Sequence, residues 1–303
     1  MTIAAETPKA KLAFDQNLFI HETVKPNWCP GCGDYGLLKA TARALAQLGY
    51  KPYEVVIFSG IGCSSNFPHF TSAYGFHAVH GRALPAATGA HLSNPDLKIV
   101  VVGGDGDGYA IGMGHFIHAC RRNLNLTYMV MNNQIYGLTL GQYSPSSQKG
   151  HVTKISPEGV DENPVNPINL ALAAGATFVA RGFSGEIKHL EQTVMRALQH
   201  EGFGFIDVLS PCVTFNRLNT YEWFKERTYD LQEESHDSNN LAMALAKGLE
   251  WGDRIPIGVF YENKDQQPLH KVIPGMRFGT PVKAPLGFKA MGINSNQVFQ
   301  EFR

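Results

Sequence analysis

Apolar positions recur along the chain in two rhythms. YGLLKATARALAQLG (35–49) spaces its apolar residues at helical intervals and stops on Gly49, which predicts a helix. EVVIFSG (54–60), LKIVVVGGDGDG (97–108) and LTYMVMNNQ (126–134) are instead short continuous apolar runs that end in glycine or asparagine, as buried strands do. GMGHFIHACRR (112–122) reads as a helix between two of them. ATFVARG (176–182), EIKHLEQTVMRALQH (186–200) and GFGFIDVLSPC (202–212) add strand, helix and strand. Continuous apolar strands separated by helices predict an α/β fold: a parallel sheet with helices on both faces. Ligands of such sheets bind beyond the carboxyl ends of the strands.

The sequence divides into an N-terminal arm (1–20), this α/β domain (21–215) and a C-terminal extension (216–303) of different texture. The mixed aromatic and charged stretch YEWFKERTYD (221–230) reads as a solvated helix face or a partner contact. SNNLAMALAKGLEWG predicts a helix capped by Ser238, and IPIGVFYEN an edge strand or an extended arm.

Candidate chemistry gathers at the predicted strand ends. GGDGDG (103–108) and NNQIYGLT (132–139) each follow a strand, and Asp105 and Asn133 stand 28 positions apart with a helix between. Adjacent parallel strands would present both side chains at one edge. A carboxylate, an amide oxygen and a backbone carbonyl suit Mg²⁺, which takes an octahedron of hard oxygens at ~2.1 Å. The glycines allow close approach to a phosphate. Two glycine-rich turns with Asp105 and Asn133 as turn or capping residues would also account for GGDGDG taken alone.

Charge and cysteine content narrow the class. The 303 residues carry 26 basic and 26 acidic side chains, so the basic excess of a nucleic-acid or membrane-surface protein is missing. The N-terminal stretch has no apolar core of signal-peptide length and no run reaches ~20 apolar residues, which predicts a cytoplasmic protein with no membrane span. Five cysteines, an odd number, argue against a disulfide framework. Cys63 and Cys212 follow strands, Cys29 and Cys32 precede the first helix, and Cys120 sits inside a helix as a core residue. By count, four thiolates suit tetrahedral Zn²⁺ or a [4Fe–4S] cluster equally. One C-x-x-C pair with two distant single cysteines departs from the paired knuckles of structural zinc sites.

The two-part pattern is similar to the thiamine diphosphate and Mg²⁺ motif, GDG followed by a double asparagine. More broadly, CPGCGDYG, GIGCSS, HGRALPAATG, GGDGDG, NNQIYGLTLGQ and PCVTF occur in this order and resemble the β subunit of 2-oxoacid:ferredoxin oxidoreductases over about residues 20–215. The resemblance implies that Asp105, Asn133 and the carbonyl of Ile135 hold Mg²⁺. It implies a cofactor pocket of Ile61, Gly62, Cys63, Ser64, His80, Gly104, Gly106, Asp107, Gly137 and Leu138. One [4Fe–4S] cluster would rest on Cys29, Cys32, Cys63 and Cys212. His80, Arg82, Ser64 and Asn66 become candidates for touching the cofactor or the substrate, Arg82 through a substrate carboxylate.

The implied reaction is reversible oxidative decarboxylation of a 2-oxo acid with one-electron transfer to the cluster and ferredoxin, coenzyme A taking the acyl group. CPGCGDYG with PCVTF looks most like the 2-oxoglutarate branch, with pyruvate or a broad range of 2-oxo acids next. The glutamate that activates the cofactor normally sits on a second, pyrimidine-type domain for which this chain has no room. A partner α subunit, in an (αβ)2 assembly, is therefore expected. Two rivals are a non-redox thiamine diphosphate lyase subunit with structural zinc and a non-catalytic cluster-binding subunit.

Overall fold

The computed structural model describes residues 15–283, Gly292 and 294–300. Most of the expected N-terminal arm and parts of the C-terminal extension lie outside these. The strands are β1 Val55–Ser59, β2 Tyr74–His77, β3 Lys98–Gly104, β4 Leu126–Asn132, β5 Ile135–Tyr136, β6 Gln142–Tyr143, β7 Phe178–Phe183, β8 Phe203–Leu209, β9 Thr228–Asp230 and β10 Ile255–Glu262. Eight of them form one sheet in the order β2-β1-β3-β4-β8-β7-β10-β9. β2, β1, β3, β4, β8 and β7 run parallel, and β10 joins antiparallel to β7. β5 and β6 make a separate hairpin after β4.

Strand periodicity sorts the core into two halves. Val100 and Val102 of β3 face one side, with Met129, Met131, Ile206 and Val208 of β4 and β8. They pack on helices α1 (Asp34–Gln47) and α5 (Ile187–Gln199), which contribute Leu37, Leu45, Val194 and Leu198. Ile99 and Val101 point the other way with Tyr128, Val130 and Phe205. They meet α2 (Ala83–Ser93), α3 (Met113–Arg122) and α4 (Pro167–Ala173) through Ala87, Phe116, Cys120, Ile168 and Leu172. Both faces of the strands are thus covered, which is why their apolar runs are continuous. Each such fully buried side chain contributes about 1.5–3 kcal/mol.

The extension differs from its sequence reading in three respects. β10 is neither an arm nor an edge strand, because β7 pairs with one side of it and β9 with the other. The helix expected after Ser238 is α7, Leu241–Gly248, following the short α6 (Tyr221–Lys225). Its cap is Asn240, whose side chain accepts from the amide of Met243. Ser238 serves through its carbonyl, which accepts from Glu262 at 2.9 Å. The stretch read as a solvated face sends Phe224 into a third apolar cluster with Phe183, Leu209, Ile255 and Ile257. Its aromatic residues turn toward the protein while Glu222, Lys225 and Glu226 stay exposed.

Candidate active site

The carboxyl edges of β1, β3 and β4 converge because the three strands are neighbours in parallel register. The loops leaving them line one cavity. Ile61 to Ser64 come from the β1 loop, His80 from the turn before α2, and Gly104 to Asp107 from the end of β3. Asn133, Ile135, Gly137 and Leu138 come from the loop after β4. Tyr136 and Thr139, which sequence reasoning had not assigned, join them. Asn66 and Arg82 are not among the lining residues. The Asn66 backbone amide donates to the Cys63 carbonyl, and the Arg82 guanidinium donates to the carbonyls of Gly81 and Ile111 at 3.1 and 3.2 Å.

Asp105 is buried at the floor. Its Oδ2 accepts from Ser144 Oγ at 2.5 Å and from Ser146 Oγ at 2.6 Å. Burial pushes its carboxyl up to about 6, and the two serine hydrogen bonds pull against that rise. Neither serine was found by motif, since they lie 39 and 41 positions away. Asn133 sits beside Gln134, whose φ of 56° is left-handed. Ser147 Oγ donates to the Gln134 carbonyl at 2.6 Å, and Gln134 Nε2 donates to the Ser146 carbonyl at 3.0 Å. These bonds hold a conformation that costs about 1–2 kcal/mol in a non-glycine residue. Asn216 Nδ2 fixes the Asn133 carbonyl at 3.0 Å.

Asp107 lines the cavity, but one of its carboxylate oxygens joins three loops. Oδ1 accepts from His80 Nδ1 at 2.7 Å, Gly81 N at 2.7 Å and Ile61 N at 2.9 Å. A carboxylate only accepts, so the hydrogen of the His80 bond is carried by Nδ1. Gly60 is obligatory beside it, because a Cβ there would collide with the Asp107 carboxylate.

Four cysteines gather behind this floor. The turn before α1 lies against the loop after β8: Gly33 N donates to the Pro211 carbonyl at 3.1 Å, and a Cβ on Gly33 would meet Ser210 at 2.5 Å. This close approach brings Cys29 and Cys32 toward Cys212. Trp28 Nε1 donates to the Cys63 carbonyl at 2.7 Å and ties in the β1 loop. Burial raises the Cys32 thiol far above its ordinary range, with Asp34, Cys212 and Cys63 adding to the rise. Burial, then Asp34, Cys212 and Cys29, push the Cys63 thiol up to about 11. The four sulfurs are therefore electrostatic neighbours. Among the described residues, however, no three His, Cys, Asp or Glu side chains close on a single-ion position. Gly137 brings the cavity lining against the sulfurs: a Cβ on it would lie 3.6 Å from Cys63 Sγ and 3.7 Å from Cys212 Sγ, and Cys63 itself lines the cavity. Cys120 stays apart, buried in the core.

The residues fit the groups that the resemblance implies. Ser64 Oγ is buried at the cavity with no hydrogen-bond partner. Gly104 and Gly106 let the backbone pack closely at the cavity: a Cβ on Gly104 would lie 3.0 Å from Ser64 Oγ, and one on Gly106 would strike the Tyr136 ring. Hard oxygens and the soft thiol of Cys63 lie at the cavity, with the other thiols nearby, as Mg²⁺ and iron respectively require.

Fold and site together define a thiamine diphosphate-binding α/β domain. The family described as "Thiamine pyrophosphate enzyme, C-terminal TPP binding domain" matches residues 60–208. The family of the C-terminal part of the pyruvate ferredoxin oxidoreductase β chain matches residues 212–277. A Saccharolobus solfataricus 2-oxoacid:ferredoxin oxidoreductase subunit beta is 47% identical over 250 residues, 78% of this chain and 82% of the relative. A 2-oxoglutarate synthase subunit KorB from Methanocaldococcus jannaschii is 36% identical over 257 residues, covering 82% and 93%. The solved 2-oxoglutarate:ferredoxin oxidoreductase from Magnetococcus marinus, with 2-oxoglutarate, coenzyme A and succinyl-CoA bound, superposes with a TM-score of 0.86 at 36% identity and 96% coverage of both chains. The chain belongs to the β subunits of 2-oxoacid:ferredoxin oxidoreductases.

Proposed function

We propose that this chain is the cofactor- and cluster-bearing subunit of a coenzyme A-acylating oxidoreductase whose substrate is 2-oxoglutarate, converted to succinyl-CoA and carbon dioxide. The observation that carries the reading is Gly137, which lines the cavity formed by both halves of the diphosphate motif and backs directly onto two cysteine sulfurs. Bound here, thiamine diphosphate supplies the nucleophilic carbon and electron sink for decarboxylation, and a [4Fe–4S] cluster supplies the one-electron acceptor.

This chain's residues divide the remaining work. Asp105, Asn133 and the Ile135 carbonyl hold Mg²⁺, while Gly104, Gly106, Asp107, Gly137 and Leu138 line the diphosphate. Cys29, Cys32, Cys63 and Cys212 hold the cluster. One C-x-x-C pair joined by two distant single cysteines, rather than two paired knuckles, supports a cluster over a structural zinc ion. Ser64 Oγ, lacking a partner, is free to bond cofactor or substrate, and His80 lines the same cavity wall. Arg82 holds backbone carbonyls instead, so the substrate carboxylate relies on Ser64, His80 and the partner subunit.

Ile61 and Leu138 line the cavity yet are 36% and 54% exposed, which supports a cofactor enclosed between two chains. We place the activating glutamate on the α subunit, ferredoxin as the electron acceptor, an (αβ)2 assembly, reversibility toward carbon dioxide fixation and a cytoplasmic site in the same proposal. Among the described residues no helix is long and apolar enough to cross a membrane. The relatives named for 2-oxoacids in general favour a second reading, a broad substrate range. Steady-state rates of the co-expressed complex separate the two. A kcat/KM for 2-oxoglutarate well above those for pyruvate and 2-oxobutyrate supports the first reading, and comparable values support the second.

A further inference from the structure

Behind Asp105 lies a buried polar chain that reaches a second cavity. Ser146 Oγ stands 2.6 Å from Asp105 Oδ2 and 2.8 Å from Asn132 Oδ1. A hydroxyl has one hydrogen, and both neighbours are acceptors. Ser146 therefore donates to one of them at a time.

The Asn132 amide cannot turn to relieve this competition. Its Nδ2 donates to Asp207 Oδ1 at 3.0 Å, which directs Oδ1 at Ser146. Asp207 Oδ1 also accepts from Tyr109 OH at 2.9 Å, and Oδ2 accepts from Arg181 Nε at 3.2 Å. Arg181 and Asp207 are 2% and 1% exposed. The guanidinium is held between the rings of Trp251 and Phe260, 5.3 and 5.4 Å away. Arg181, Asp207, Asn132 and Ser146 all line the second cavity, away from the cofactor.

We propose that the Arg181–Asp207 pair, acting through Asn132 and Ser146, positions Asp105 for its cation, with Ser146 as a two-position hydroxyl. The inference rests on Asp105 being a Mg²⁺ ligand. Without a cation, Asp105 Oδ2 takes the Ser146 hydrogen beside that of Ser144. When a cation satisfies the carboxylate, the hydrogen passes to Asn132 Oδ1, whose orientation Asp207 has already fixed. The chain thus supplies a second acceptor that favours the cation-bound arrangement. Arg181, Asp207 and Asn132 are positioning residues, because nothing in their contacts reaches the cavity that takes the cofactor.

The test is Mg²⁺ titration of thiamine diphosphate binding to the co-expressed complex by calorimetry, with iron content and visible absorbance as controls. Asn132→Leu keeps the side-chain size and removes the second acceptor, and Asp207→Asn releases the amide. Each should raise the apparent Mg²⁺ dissociation constant roughly tenfold with unchanged iron content. Ser146→Thr should remain near wild type because it keeps the hydroxyl. A merely structural role would not move the Mg²⁺ dependence. Should Asp207→Asn fail to fold, Asn132→Leu decides alone. Wild-type Mg²⁺ dependence in Asn132→Leu overturns the relay. A wild-type complex that binds no thiamine diphosphate with Mg²⁺ overturns the reading of the site and the relay with it.

Discussion

His80 Nδ1 donates to Asp107 Oδ1 at 2.7 Å, and that same oxygen receives the amides of Gly81 and Ile61. One buried carboxylate thereby joins the β1 loop, the turn before α2 and the end of β3. Removing it strands buried donors, each costing about 1–3 kcal/mol. Asp107→Ala should lose about 3 kcal/mol of stability in chemical denaturation of the complex, and Asp107→Asn, which keeps an acceptor, about 1 kcal/mol. Equal losses in the two variants would count against the anchoring role.

Two glycines should fail in different ways. Gly106→Ala drives a Cβ into the Tyr136 ring and disturbs the bond from Tyr136 OH to the Gly106 carbonyl. It should weaken thiamine diphosphate binding by about tenfold and leave iron content intact. Gly137→Val places methyl groups beyond a Cβ already 3.6 Å from Cys63 Sγ. Iron and acid-labile sulfide per chain should then fall well below wild type, whereas Gly137→Ala fits by ordinary contact and should keep them. Calorimetry and iron analysis of the three variants separate the two surfaces of this loop.

Cysteine substitutions should sort by position. Cys29→Ala, Cys32→Ala, Cys63→Ala and Cys212→Ala should each bleach the anaerobically purified complex. Cys120→Ala, deep in the core, should keep the colour and cost about 1 kcal/mol of stability. Visible spectra and thermal midpoints check both halves, and loss of colour in Cys120→Ala would contradict the assignment.

Acid should destabilise the fold through α2. His91 is fully buried, with Nε2 at 3.2 Å from His270 Nδ1. Burial, then the neighbouring His270 and Lys98, bring its imidazole down from 6.5 to about 4. Because the folded value is depressed, its contribution is fully present above about pH 6.5. It is lost as pH falls toward 4, while the unfolded chain takes up the proton and the folded chain does not. The loss amounts to at most about 3 kcal/mol. Thermal midpoints of the complex between pH 4 and 7 should show this slope, and His91→Leu should flatten it.

The elements that position the site were legible because each carries a local signal. β3 and β4 are apolar on both faces and end in glycines or a double asparagine, so their neighbouring edges followed from the pattern. β2 escaped notice because all four of its residues are exposed despite two large aromatics, which leaves no alternation to read. α2 has four alanines among its eleven residues, with glycine and proline in its sequence, and gives no apolar stripe. The serines on Asp105 and the Arg181–Asp207 pair are products of strand neighbours far apart in sequence. A faint signal existed in the single charge inside each of the buried runs FVARGF and FIDVL. A charge on an enclosed strand requires a partner, and here each provides the other's.

The central claim is electronic contact between a decarboxylating cofactor and a cluster that meet at Gly137 and Cys63. The most direct test is the visible spectrum of the anaerobically purified complex before and after 2-oxoglutarate and coenzyme A are added. A brown absorbance that partly bleaches on addition is the predicted result. A colourless complex, or a brown one that the addition leaves unchanged, would contradict it.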